Sequence, residues 1–165
     1  MRALSRSGLS LAAVALVVIG ACGSEPDAAR IDDRAFARAA EELCARELPP
    51  LRADIADDEP RDPEEVAPTI EARADSLESL VRGLRGIEVG GASRGAVETW
   101  LDDWDTYVDV GRRYARALRE GNPRRYAAVA DEGMAPQARI SAFARANNFK
   151  SCALDGVPLP PREGL

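Results

Sequence analysis

The chain has 165 residues, of which 28 are Asp or Glu, 22 are Lys or Arg and none is His. A chain without histidine cannot use a His base to activate a serine or cysteine nucleophile, and it lacks the Glu-x-x-His ligands of di-iron bundles. Its net charge of −6, which becomes −8 without the basic Arg2 and Arg6, argues against nucleic acid or anionic lipid headgroups as the main partner. Because it also has no Walker loop and no GxGxxG motif, we predict no cofactor.

The first residues have the layout of a signal peptide. Arg2 and Arg6 precede an apolar run from Leu9 to Ile19. As a helix this run would rise about 16 Å at ~1.5 Å per residue, which is too short to cross a bilayer. We therefore expect it to direct export and then to be removed.

The residues Ile19-Gly20-Ala21-Cys22 resemble the lipobox of bacterial lipoproteins, an aliphatic residue and two small residues before a cysteine. The resemblance implies diacylglycerol on the Cys22 thiol and removal of residues 1–21, which leaves residues 22–31 as lipid anchor and flexible tether. The protein would then sit on the outer face of the cytoplasmic membrane or in the cell envelope. The alternative is ordinary cleavage after Gly23, which would discard Cys22.

Cysteine parity fits this interpretation. If the lipid takes Cys22, then Cys44 and Cys152 remain as an even pair, 108 positions apart. We expect them to form a structural disulfide, because exported proteins pair their thiols. A redox role is disfavoured, since the chain has no C-x-x-C motif.

The first helix is predicted to begin at Asp32 or Asp33 and to end near Leu48, before Pro49-Pro50. Its apolar face carries, at helical spacing, Phe36, Ala39, Ala40, Leu43 and Cys44. The acidic stretch that follows, residues 51–62, contains Pro60 and is interpreted as a loop or at most a short helical turn. Because it lacks the alternating pattern of a calcium-binding loop, we expect a solvated linker rather than an ion site.

A second helix follows, with Asp62 as its N-cap and Glu65 at the capping-box position. Two starts remain open, Pro63 and Pro68, because a proline inside a helix removes one backbone bond. Its apolar stripe consists of Ile70, Ala74, Leu77, Leu80, Val81, Leu84 and Ile87, and it ends at Gly86, Gly90 and Gly91.

The third helix, from Ser93 to Glu120, has the clearest pattern. Apolar residues recur at alternating spacings of four and three, which is typical of a bundle seam, and they are Val97, Leu101, Trp104, Val108, Gly111, Ala115 and Leu118. Trp100, Tyr107 and Tyr114 widen this face. Trp100 and Tyr107 lie off the seam, so they either pack in the core or line a pocket for an apolar or sugar ligand.

Charged residues cover other faces of this helix. Four carboxylates share one face, namely Glu98, Asp102, Asp105 and Asp109. They could bind a hard cation such as calcium, but carboxylates on one straight helix rarely surround an ion, so we predict a solvated face and no metal site. Asp109 is expected to pair with Arg112 or Arg113 instead. Arg116 is expected to pair with Glu120.

Six arginines crowd the turn into the next helix, namely Arg112, Arg113, Arg116, Arg119, Arg124 and Arg125. They either bind an anionic envelope polymer or lipid headgroup, or offset the helix dipole and pair with nearby acids. Arg112 and Arg116, with Trp100 and Tyr107, form the candidate ligand or partner surface.

The fourth helical region is predicted from Pro123 to about Asn147, with Asn122 as its N-cap. Gly133 and Pro136 are expected to kink or split it. Asn148 is a candidate left-handed C-cap. Residues 153–165 are interpreted as a disordered, proline-rich tail.

Four amphipathic helices in series predict an all-α, mostly up-and-down four-helix bundle over residues 32–152. The mature chain resembles the small helical lipoproteins common in actinomycetes and other GC-rich bacteria, through its lipobox, Cys44, and Cys152 shortly after a helix stop at Asn148. That resemblance implies location and fold, not an activity. The sequence thus predicts a non-catalytic lipoprotein that contacts an envelope protein. The alternatives are a small-ligand or ion-binding lipoprotein and, least supported, an enzyme.

Overall fold

In the computed structural model of this chain, residues 28–53 and 62–155 are described. Within these ranges the chain is helical and contains no strand, as predicted. The elements are α1 (Arg34–Ala53), α2 (Pro63–Arg85), α3 (Arg94–Arg119), α4 (Pro123–Ala146) and a short 3-10 turn (Lys150–Cys152). The predicted signal peptide and Cys22 lie outside the described residues.

Each helix packs against its neighbours in the bundle. α3 packs against both α2 and α4, whereas α1 packs against α2 and against the 3-10 turn. The 3-10 turn in turn contacts α4. The C-terminal segment therefore fills the side of the bundle between α1 and α4.

Local side-chain caps set the starts of α1 and α2, and the cap at Asp62 was predicted. Asp33 accepts a hydrogen bond from the backbone N–H of Phe36 at 2.9 Å, and Asp62 accepts one from Glu64 at 2.9 Å. α2 begins at Pro63 and continues through Pro68, which decides between its two possible starts. These side chains satisfy N–H groups that have no partner in the first helical turn.

The predicted end of α1 at Pro49-Pro50 is wrong, because the helix continues to Ala53. Distant contacts hold the last turn in place. Arg52 donates from Nη2 to the backbone carbonyls of Ser151 and Ala153, at 3.1 and 2.8 Å. Leu51 packs against the core beside this turn. These tertiary contacts override the low helix propensity of the two prolines.

α3 matches its prediction closely. It has Ser93 and Glu120 as its flanking caps. All seven residues of the predicted seam are buried, as are Trp100, Tyr107 and Tyr114. The long unbroken repeat thus forms the central helix of the bundle.

α4 is one continuous helix through Gly133 and Pro136, so the predicted split is wrong. Both residues lie on its buried face, where packing supports the helix despite one lost backbone bond. The predicted kink stays a prediction. Asn148 has a positive φ of 62° and ends the helix as expected. The N–H groups of Phe149 and Asn148 donate to Ala144 and Arg145, which is a Schellman motif.

Two groups of buried side chains fill the bundle. The larger group draws on all four helices and includes Phe36, Trp100, Trp104, Phe143 and Phe149. The smaller group joins α2, α3 and α4, and includes Ile70, Tyr114, Leu118 and Val129. The disordered tail was predicted to begin at residue 153. Ala153 and Leu154 are instead buried in the larger group. Residues 156–165 of that tail lie outside the described residues.

Candidate functional site

The predicted disulfide joins α1 to the C-terminal segment. Cys44 and Cys152 are bonded, with their Cα atoms 5.1 Å apart, and both side chains are fully buried. Glu41 of α1 accepts hydrogen bonds from the N–H and hydroxyl of Ser151 at 2.8 and 2.7 Å. A side chain of α1 therefore binds the C-terminal segment in addition to the disulfide, which favours a structural role for the bond over a redox role.

Trp100 and Tyr107 both lie in the core, each with 1% of its surface exposed. The indole of Trp100 donates to the carbonyl of Ile140 at 3.3 Å and stacks on Phe143 with ring centroids 5.4 Å apart. Tyr107 packs edge-on against Trp104, and burial raises the pKa of the Tyr107 phenol. This placement favours core packing over a ligand surface.

Trp100 is one of the residues that line a small cavity of about 250 Å³. Ala28 and Ala29, from the predicted tether, form part of its wall. Asp103 and Arg139 also line it, and they form an ion pair with a shortest separation of 2.6 Å. The shape of this cavity therefore depends on where the tether lies.

Arg112 forms ion pairs within the bundle. Its Nη2 atom lies 2.9 Å from a carboxylate oxygen of Asp75 and 2.9 Å from one of Glu78, both on α2. Hydrogen bonding to Arg112 lowers the pKa of the Glu78 carboxyl. Arg112 thus joins α3 to α2. Arg116 is exposed, and within residues 28–53 and 62–155 it has no ion pair.

The predicted pair of Arg116 with Glu120 is wrong, because Glu120 pairs with Arg125 of α4. Gly121 has a positive φ of 61°. This conformation turns the chain back sharply after α3, and glycine adopts it without steric cost. The first turn of α4 is then brought beside the end of α3, where Arg125 reaches the carboxylate.

Most carboxylates on the acidic face of α3 are paired. Asp105 and Asp102 lie 2.5 and 3.6 Å from Arg85 of α2. Asp109 lies 2.8 Å from Arg113, one of its two predicted partners. Among the described residues, no three His, Cys, Asp or Glu side chains are grouped so that they could hold a metal ion.

A groove of about 910 Å³ lies between the start of α1, the end of α2 and the first turns of α3. Its apolar lining includes Phe36, Leu84, Val97 and Leu101. Its charged lining includes Asp33, Arg85, Glu88, Arg94, Glu98 and Asp102. The volume lies within the range of about 300–1,000 Å³ typical of small-molecule sites. Two members of the acidic face, Glu98 and Asp102, therefore contribute to a concave surface.

Asn147, at the end of α4, makes three side-chain hydrogen bonds, two of them to the predicted tether. The sequence did not indicate this role. The Oδ1 of Asn147 accepts from the N–H of Ile31 at 2.8 Å. Its Nδ2 donates to the carbonyls of Ala29 and Phe143, both at 2.9 Å. The sequence offers only an asparagine near a helix end as a signal, and nothing in it indicates the contact with residues 29–31.

No protein-family model matches the chain, and neither a curated protein nor a solved structure matches it. In the part of the chain that the structure describes, no helix is long and apolar enough to cross a membrane.

Proposed function

We propose that this chain is an exported lipoprotein whose helical bundle acts in the cell envelope by contacting another protein rather than by catalysis. In this proposal residues 1–21 are removed as a signal peptide. Cys22 then carries diacylglycerol and anchors the domain to the membrane. The partner is a protein of the envelope, and nucleic acid is not a partner.

The buried disulfide between Cys44 and Cys152 is the observation that carries this proposal. Disulfides form and persist in oxidising compartments, which supports export. The bond also uses two of the three cysteines, so Cys22 is the one thiol of this sequence left for lipid attachment. The lipobox around Cys22 is thereby supported by an independent feature of the fold.

The ion pairs made by the acidic side chains of α3 support a binding role over catalysis. Asp102, Asp105 and Asp109 face arginines at ion-pair distances, and Asp103 faces Arg139. These four carboxylates bind arginines of the bundle itself, which is the arrangement expected of structural ion pairs rather than of a general acid or base.

Crosslinking in intact native cells tests the proposal. The captured protein is identified by mass spectrometry beside a Cys22→Ser control that is expressed to the same level. We expect a defined envelope protein to be captured with the native chain and lost with Cys22→Ser. Capture of nothing, with the lipidated Cys22 peptide confirmed by its mass, would contradict the protein-contact role.

The groove favours a second candidate function, the binding of a small ligand. Its apolar floor and charged rim are the features that ligand sites combine. Titration with envelope metabolites and divalent ions, followed by tryptophan fluorescence and melting temperature, tests this function. A true ligand should lose its effect in Glu98→Arg, which alters the rim. It should keep its effect in Glu42→Arg, an exposed position on α1 away from the groove.

A further inference from the structure

Asn147 fixes the path of the chain just before α1. Its amide bonds both to Ile31 N–H and to the Ala29 carbonyl, so it holds two points of the same segment. The side chain is 8% exposed and also bonds to Phe143 of its own helix. We name these contacts the Asn147 clamp.

Several helix ends meet at the clamp. The Asp33 carboxylate at the start of α1 accepts from Gly90 N–H at 2.6 Å, which brings the α2–α3 connection to the same place. We define the tethered end as residues 28–34, 86–94 and 147–150. The α3–α4 connection, residues 120–122, lies at the opposite end of α3. The 26 residues of α3 separate the two ends by about 39 Å at ~1.5 Å per residue.

The clamp limits how far the bundle can move from its anchor. Cys22 precedes residue 28 by six positions, which have a maximum span of about 20–22 Å at ~3.3–3.6 Å per residue. If the clamp were released, the free segment would extend from Cys22 to Asp33. Its maximum span would then be about 36–40 Å on the same basis, which equals the length of α3. The clamp therefore decides whether the α3–α4 connection can point towards the lipid.

Charge at the tethered end suits a phospholipid surface better than the chain as a whole does. The tethered end contains four cations and three carboxylates, namely Arg30, Arg34, Arg94 and Lys150 against Asp32, Asp33 and Glu88. The full chain has a net charge of −6. Anionic headgroups attract basic side chains close to the membrane. The opposite end is more basic still, with Arg116, Arg119, Arg124 and Arg125 against Glu120. The reach of the tether, and not charge, therefore selects the end that faces the membrane.

We infer that the tethered end is the surface that faces the phospholipid headgroups, and that the Asn147 clamp directs the α3–α4 connection away from the membrane. This inference rests on the proposed lipid anchor at Cys22. It assigns the opposite end, with the exposed Arg116 and Arg124, as the end that a partner in the envelope can reach.

Energy transfer to a membrane dye tests this orientation. The full lipidated chain is placed in vesicles of phosphatidylglycerol and phosphatidylethanolamine that contain an acceptor-labelled lipid. A donor is attached through Glu88→Cys at the tethered end or through Arg124→Cys near the other end, both exposed positions. The buried disulfide and the acylated Cys22 leave the new thiol to react. We expect severalfold stronger transfer from position 88.

Two changes should abolish most of that difference. Asn147→Ala removes the clamp, and an insertion of six Gly and Ser residues before Ala28 lengthens the tether without touching the fold. The matched control is Asn122→Ala, which removes the N-cap bond to Arg125 at the opposite end. This control should retain the difference, which separates release of the clamp from a general loss of stability.

Each outcome bears on one claim. Equal transfer from the two positions in the native chain, with the protein on the vesicles, would overturn the orientation while leaving the anchor intact. A difference that survives Asn147→Ala would overturn the role of the clamp, and a difference that survives the longer tether would overturn the limit set by the tether length. A chain that does not float with the vesicles would overturn the lipid anchor, and the orientation with it.

Discussion

Removing the disulfide by Cys44→Ala with Cys152→Ala is expected to lower the free energy of unfolding by about 2–4 kcal/mol. The bond spans 108 sequence positions, and the chain-entropy model gives about 4.7 kcal/mol as the value for a loop of ~100 residues. Glu41 and Arg52 still bind the C-terminal segment when the bond is removed. The fold should therefore persist, and the loss should reflect a less constrained unfolded chain.

Urea unfolding followed by far-UV circular dichroism measures this loss, with Cys22→Ser in every sample to keep the protein soluble. A reduced sample without the alanine changes is the control, and its midpoint should fall similarly. The denaturant slope should rise, because a chain without the crosslink exposes more surface when unfolded. An unchanged midpoint would refute the reasoning. So would a variant that has no helical signal before urea is added.

Three further predictions concern the core and the end of α1. Trp100→Ala should cost about 3–5 kcal/mol, because the indole is buried among aromatic rings; a loss below about 1 kcal/mol in a urea titration would contradict this. Burial raises the pKa of Tyr107 above its ordinary value near 10. The contribution of the Tyr107 phenol to stability should thus be complete below about pH 10 and decline above it, because the phenol loses its proton at lower pH in the unfolded chain. Tyrosinate absorbance from Tyr107, assigned by comparison with Tyr107→Phe, should appear only as the helical signal is lost. Arg52→Ala should speed amide hydrogen exchange after Pro50, since Arg52 holds that turn, and unchanged exchange there would exclude this role.

Sequence patterns that depend on nearby residues predicted the buried face of α3 and several helix caps well. The seam of α3 repeats over the whole helix, so its buried face followed from the sequence. The caps at Asp62 and Asn148 were also predicted. In each case the side chain or backbone conformation acts within a few residues of its own position.

Features that depend on distant residues could not be predicted in this way. α1 continues past Pro49 because Arg52 reaches carbonyls about 100 positions away. The Asn147 clamp joins residues more than 110 positions apart. Periodicity gives the face of each helix but not the register between helices. For the same reason, the sequence predicted that Arg112 could pair with a nearby acid, but it did not identify Asp75 and Glu78 of α2 as the partners.

The mass of the amino-terminal peptide, released by protease from the native membrane fraction, tests whether Cys22 is the lipid anchor. We expect a peptide that begins at Cys22 and carries the mass of a diacylglycerol group. A matched Cys22→Ser strain should lack this species. An unmodified peptide that begins at Ser24, recovered from the soluble fraction, would contradict the account and establish ordinary cleavage after Gly23.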